Sequence, residues 1–147
     1  MTKKAENLNE LQNSALNIAD VNGMCFFVGM HNKPEMKPLD SKTMSGKIVD
    51  AIINELPVVC TKTNLCEVDY FPKDKREIWA GNLMWSEKYQ PTSDSIIVLL
   101  GAWVHKHFLL TSAKIIKLPH PASCIYHANK DEYIKNAVDK IKAVLLY

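Results

Sequence analysis

Apolar residues in this chain form either short continuous runs or longer stretches in which they recur every three or four positions. A continuous run is typical of a strand buried on both faces of a parallel sheet, and the spaced pattern is typical of an amphipathic helix. Strands are predicted over residues 24–28, 58–65, 96–100 and 114–118. Helices are predicted from apolar positions within residues 8–18, 44–56, 78–85, 102–110 and 134–144.

Strands that alternate with helices form parallel sheets covered by helices on both faces. The prediction is one three-layer α/β/α domain over residues 1–147, with a central four-stranded parallel sheet in the order 2-1-3-4. A chain of 147 residues can bury one good core but not two. Thr43 or Ser45 is expected to cap the second helix, and Asn129 or Asp131 the last one.

Composition narrows the functional classes without selecting one. Apolar residues make up 47% of the chain and charged residues 23%, which is ordinary for a globular protein. Because no apolar run reaches the length of a membrane span and no signal-peptide core follows Met1, a cytoplasmic protein is expected. The net charge is +2 and Arg76 is the single arginine, so phosphate contacts would come from lysines, hydroxyls and backbone N–H groups.

The four cysteines do not form a C-x-x-C pair, so their spacing argues against a zinc ribbon. No metal site is predicted. Cys25 and Cys60 fall within strand-like runs and are interpreted as reduced core residues. Cys66 and Cys124 fall near strand ends, where a reactive thiol is an alternative interpretation.

Two predicted strands end in polar segments that contain a histidine and a proline. The first strand leads through Gly29 into residues 31–34, and the last leads into residues 119–123. Since parallel strands end at one edge of the sheet, where open α/β folds bind ligands, we expect the two loops to form one site. The simpler alternative for the first loop is a solvated lysine-rich segment.

Taken in order, these segments resemble the motifs of the uracil-DNA glycosylase superfamily. Members have an apolar strand with a Gly-x-x-Pro-type loop, a strand with a base-contacting asparagine, an apolar strand ending in glycine, and a His-Pro-small-Ser/Pro loop. The resemblance extends over about residues 24–123. The matching segments are Phe27-Val28-Gly29-Met30-His31-Asn32-Lys33-Pro34, Thr63-Asn64-Leu65-Cys66, Ile97-Val98-Leu99-Leu100-Gly101 and His120-Pro121-Ala122-Ser123.

The resemblance implies a monofunctional DNA-base glycosylase that flips a base out of DNA and hydrolyses its N-glycosidic bond. Uracil, or another deaminated or modified base, is the expected substrate. The resemblance assigns His120 as the donor that stabilises negative charge on the leaving base. Asn32 is the first choice for positioning the attacking water and His31 the second, with Glu35 or Asp40 as further alternatives.

The same resemblance implies that Gly29, Met30 and Asn64 bind the base, with Tyr70, or alternatively Phe71, stacking on it. DNA is the expected partner, and no membrane, obligate protein partner or cofactor is expected. The cysteines do not match the iron–sulfur pattern of one branch of the superfamily. The residues expected to bind DNA phosphates are Lys33, Lys42, Pro121 and Ser123.

The first loop also departs from the superfamily pattern. Members place Asp, Glu or Asn two residues after the glycine and directly before the proline, whereas this chain has His31 there, followed by Asn32 and an inserted Lys33. No aromatic residue occurs within residues 30–55 to stack on a base. Two alternatives therefore stay open: a catalytically weak member that binds nucleic acid or nucleotides, and an α/β enzyme acting on a small nucleotide. The second lacks a glycine-rich phosphate loop.

Overall fold

The computed structural model describes residues 25–68, 70–109, 112–123 and 129–145. The helix predicted over residues 8–18 and Cys124 lie outside these ranges. In chain order the elements are β1 (Cys25–His31), α1 (Met44–Asn54), β2 (Cys60–Cys66), α2 (Lys75–Tyr89), β3 (Ile96–Leu100), α3 (Ala102–His107), β4 (Lys114–Leu118), a 3₁₀ turn (Pro121–Ser123) and α4 (Lys130–Leu145).

The four strands form one parallel sheet in the order β2-β1-β3-β4. Alternate residues of β1 face opposite sides, so Phe27 packs in a core with α1 and α4, whereas Phe26 and Val28 pack in a second core with α2 and α3. The predicted three-layer α/β/α architecture and strand order are therefore confirmed. Since all four strands are parallel, the loops that follow β1, β2 and β4 emerge at the same edge.

Strand β1 is longer than its apolar run predicted. Gly29, Met30 and His31 were assigned to the loop, but they continue the strand, with Gly29 paired to Asn64 and His31 to Cys66 of β2. The predicted boundary was wrong because hydropathy does not show how far a neighbouring strand continues to pair. As a consequence, His31 is held by a strand, whereas the inserted Lys33 lies in the loop beyond it.

Hydrogen bonds decide which residues cap the helices. The Thr43 hydroxyl accepts from the N–H of Gly46 at 2.9 Å and caps α1. The Asn129 side chain accepts from the N–H of Glu132 at 2.7 Å and so acts as the cap of α4. Across the described residues, no helix is long and apolar enough to cross a membrane.

Cys25 and Cys60 are register partners on β1 and β2, at the opposite end of these strands from the two loops. Cys25 is fully buried and Cys60 is half-buried. The hydrogen bond that Cys25 donates to Cys60, together with burial, raises the pKa of the Cys25 thiol. The interpretation of Cys25 as an unreactive core residue agrees with this environment.

Candidate functional site

A cavity of about 360 Å³ lies at the edge of the sheet where β1 and β2 end and the loop after β4 begins. A pocket of this size, with a few polar groups directed at one space, is typical of a small-ligand site. It brings together many of the residues that the sequence assigned to a site. Those that line the cavity are Gly29, Met30, His31, Lys33, Asp40, Asn64 and His120.

Other predicted site residues lie outside this lining. Tyr70 lines a second cavity, so the structure does not bring it together with the two histidines. Pro121 is buried in the 3₁₀ turn, where the N–H of Ser123 donates to the carbonyl of His120 at 2.9 Å. Lys42 is exposed on the loop before α1. The phosphate-binding roles of Pro121, Ser123 and Lys42 stay predictions.

The second cavity is larger, about 570 Å³, and lies between β2 and α2. Three of its polar groups engage one another: Glu67 accepts from the Tyr89 hydroxyl and forms an ion pair of 2.6 Å with Lys88. Asn64, Glu77 and Glu87 also line it. Burial and the neighbouring Glu67 raise the pKa of Tyr89. Asn64 lines both cavities, but His31 and His120 line only the smaller one, which is therefore the candidate site.

Asn64 is held in one orientation at the floor of the candidate site. It is 3% exposed, and its Nδ2 donates to Oδ1 of Asn32 at 2.7 Å. Its Oδ1 then lies over Gly29, where a Cβ would approach it to 2.4 Å. A side chain at position 29 would therefore displace the amide. Asn32 acts here by positioning Asn64, and Asn32 is not among the cavity-lining residues.

The hydrogen bonds of His120 determine where its proton lies. The N–H of Ala122 donates to Nδ1 of His120 at 3.1 Å, so the neutral ring carries its proton on Nε2. Although the residue is exposed overall, its ring packs over Gly101, where a Cβ would lie 3.4 Å from Cδ2. This partial removal from water lowers the pKa of His120, and the positive charge of Lys33 lowers it further. His120 is therefore a neutral hydrogen-bond donor near pH 7.

Hydrogen bonds to Leu118 and Pro119 hold the loop that carries His120. The Gly101 N–H donates to the carbonyl of Leu118 at 2.9 Å, and the Tyr133 hydroxyl of α4 donates to the carbonyl of Pro119 at 2.5 Å. Gly101 has φ of +94°, a conformation that favours glycine. Tyr133 was not predicted to support the site. Its signal was a phenol on an apolar helix face, since a buried tyrosine hydroxyl usually has a partner.

His31 has the opposite tautomer to His120. Its Nδ1 lies 2.9 Å from the backbone carbonyl of Asn32. A carbonyl oxygen can only accept, so Nδ1 carries a proton, and in the neutral ring Nε2 then keeps its lone pair. The cavity is therefore lined by one histidine that can donate through Nε2 and one that can accept through Nε2.

The apolar part of the wall includes Met36, Leu39 and Met44, which were not predicted as site residues. The loop turns sharply here, and Glu35 and Leu39 have φ of +60° and +50°. The aliphatic and thioether side chains provide the apolar contact that an aromatic ring supplies in many ligand pockets.

Asp40 stabilises this loop. Its carboxylate accepts from the N–H of Lys42 at 2.9 Å and of Lys37 at 3.1 Å, and these two bonds hold its pKa below the usual range. Both carboxylate oxygens are thus engaged by the backbone, which favours a structural role over water activation. Glu35 is exposed and does not line the cavity.

The chain matches no protein-family model and no curated protein. Within the described ranges, no group of three or more His, Cys, Asp and Glu residues is placed to hold a metal ion.

Proposed function

We propose that the protein is a monofunctional DNA-base glycosylase that hydrolyses the N-glycosidic bond of uracil or another deaminated or modified base. The observation that carries the proposal is the convergence of Asn64, His31 and His120 on one cavity at the edge of the sheet. Hydrolysis of this bond requires a donor for the departing base and an acceptor for the proton of water. The two histidine tautomers supply one of each.

The base enters the cavity after extrusion from its stack, which costs a few kcal/mol. One N–H of the Asn64 amide is used by Asn32, which leaves the other N–H and Oδ1 for a base edge with a complementary acceptor and donor. Uracil presents such a pair in its O4 and N3–H. Met36 and Leu39 provide the apolar contact with the ring.

In the proposed reaction the bond between C1′ of the sugar and N1 of the base breaks, and its electron pair moves onto the base. Negative charge develops on the base oxygen O2, to which Nε2–H of His120 donates, and the nearby charge of Lys33 stabilises it. Water adds to C1′ and transfers its proton to Nε2 of His31. The products are an abasic sugar and a base anion. His31 releases its proton to solvent, and the base anion takes one up.

The test of this function is excision by the purified protein. Oligonucleotides that contain uracil, hypoxanthine, xanthine or hydroxymethyluracil, single- and double-stranded, are incubated with it and then treated with alkali, which breaks the strand at abasic sites. We expect breaks at the position of at least one of these bases and none in an undamaged strand. Salt-sensitive DNA binding without breaks would overturn the enzyme and favour the nucleic-acid-binding alternative.

Replacement of His31 by alanine should separate its role from that of Asn32. Loss of a general base is expected to lower kcat about a hundredfold, and added imidazole should restore part of the rate. In Asn32→Ala the Asn64 amide loses its fixed orientation, so KM should rise more than kcat falls. Single-turnover and steady-state excision by both variants provide the comparison. A parent-like kcat in His31→Ala would assign the water to another group.

A further inference from the structure

Four rings form a continuous series that leads away from the candidate site. His31 contacts Phe71, Phe71 contacts Trp103, and Trp103 contacts His107, with centroid separations of 6.0, 6.2 and 4.7 Å. We call these four residues the ring series. Its first member, His31, lines the cavity, so the series begins at the site itself.

The core does not account for Phe71. This side chain is 48% exposed and belongs to neither core of the described residues, whereas Trp103 packs partly against the second core. Exposing half of a phenylalanine forgoes apolar burial that would stabilise the fold. An exposed ring held between two other rings, next to a cavity, is better explained by a ligand that covers it.

Several positively charged residues lie near members of the ring series, either along the chain or in the cavity lining. Lys33 lies at its cavity end, and the exposed Lys106 lies on α3 next to its last ring. Lys73, Lys75 and Arg76 follow Phe71 closely along the chain, and all three are exposed. The nearby acid Asp74 accepts from the N–H of Glu77 as the cap of α2, at 2.9 Å. Exposed rings among lysines are the features with which proteins bind single-stranded nucleic acid, because bases stack on the rings and phosphates pair with the cations.

We propose that the ring series binds the nucleotides that flank the flipped base, as an unpaired single strand, with Phe71 as the principal stacking residue. Bases within a duplex are already stacked on their neighbours and cannot offer their faces to Phe71 and Trp103. The substrate class of the site is therefore DNA that is single-stranded around the target base. This inference rests on the proposed function only in that the target base occupies the cavity.

The experiment measures equilibrium binding of an undamaged, fluorescein-labelled 15-mer by anisotropy, both single-stranded and annealed to its complement. Phe71→Leu keeps an apolar side chain but removes the ring, and it should raise Kd for the single strand about tenfold. Phe71→Tyr keeps the ring and should bind as the parent does. Kd for the duplex should stay within about twofold in both variants.

Salt dependence separates stacking from charge. The slope of log Kd against log salt concentration should be unchanged in Phe71→Leu, whereas Lys33→Gln should reduce it by about 0.7 for one lost phosphate contact. Trp79→Leu is the matched control, since Trp79 is 58% exposed and forms no ring contact with the members of the ring series. It should bind the single strand as the parent does.

Parent-like single-strand binding by Phe71→Leu, or an equal loss for single strand and duplex, would overturn the proposal. An equal loss in Trp79→Leu would also overturn it, because it would indicate general adhesion to exposed apolar side chains. The excision assay tests the proposed enzymatic function separately, and that function is wrong if the parent protein releases no base. Since the binding strand is undamaged, the two outcomes are independent.

Discussion

His120→Ala is expected to lower the excision rate about a hundredfold to a thousandfold, which is the usual effect of removing one donor from a developing negative charge. The donor is well defined here because Ala122 occupies Nδ1 of His120 and leaves Nε2–H for the ligand. Its lowered pKa keeps the ring neutral, so the expected loss is that of a hydrogen bond and not of a positive charge. Single-turnover excision from a uracil-containing strand measures the effect.

The control for this variant is stability. His120 is exposed, so its replacement should change the thermal midpoint little, and binding of an undamaged strand should also change little. Tyr133→Phe removes the hydroxyl that holds Pro119 and should show a smaller loss of rate, because the loop that carries His120 loses one of its contacts. Excision at the parent rate by His120→Ala would remove His120 from the mechanism.

Gly46→Ala is expected to destabilise the protein by about 1–3 kcal/mol. This sign is opposite to the ordinary effect, since alanine is more favourable than glycine inside a helix by about 1 kcal/mol. A Cβ at position 46 would lie 1.9 Å from the carbonyl oxygen of Asp40 and 2.5 Å from that of Leu39. Both are backbone atoms, and the Asp40 carbonyl also accepts from the N–H and hydroxyl of Thr43, so neither can move without shifting the loop.

Urea unfolding of Gly46→Ala and Lys47→Ala tests this expectation. Lys47 is exposed in the same turn of α1, so its replacement should change the free energy of unfolding by less than about 0.5 kcal/mol. The Gly46 variant should also excise more slowly, because the displaced loop carries Leu39 of the cavity wall. A Gly46→Ala protein more stable than the parent would show that the loop does not approach α1 so closely.

The strand predictions succeeded where the apolar pattern was continuous, as over Ile96–Leu100, and were less accurate at boundaries. His31 illustrates the difference. Its polarity indicated the start of a loop, yet pairing with β2 keeps it in the strand and places its ring beside the cavity. Hydropathy reports the burial of a residue, whereas the end of a strand depends on how far its neighbour remains in register.

The site was predicted in part for the same reason. Motif order pointed to Gly29, Asn64 and His120, because each follows or ends an apolar strand and parallel strands end together. The apolar wall at Leu39 was missed, since it comes from a loop with positive φ that no periodicity reveals. Asn32, the first choice for positioning water, accepts a hydrogen bond from Asn64, 32 positions away, and its role with water stays a prediction.

By itself, the sequence determined the alternation of strands and helices, the parallel sheet and the edge at which two histidine loops meet, because these follow from local hydropathy and from the chirality of chain connections. Only the tertiary structure decided which ring nitrogen of each histidine carries the proton and which side chains contact one another. A tautomer depends on the hydrogen-bond partner of each ring nitrogen, and for His120 and His31 those partners are set by how the loops fold. The ring series from His31 to His107 likewise exists only after β1, α3 and the loop before α2 are brought together.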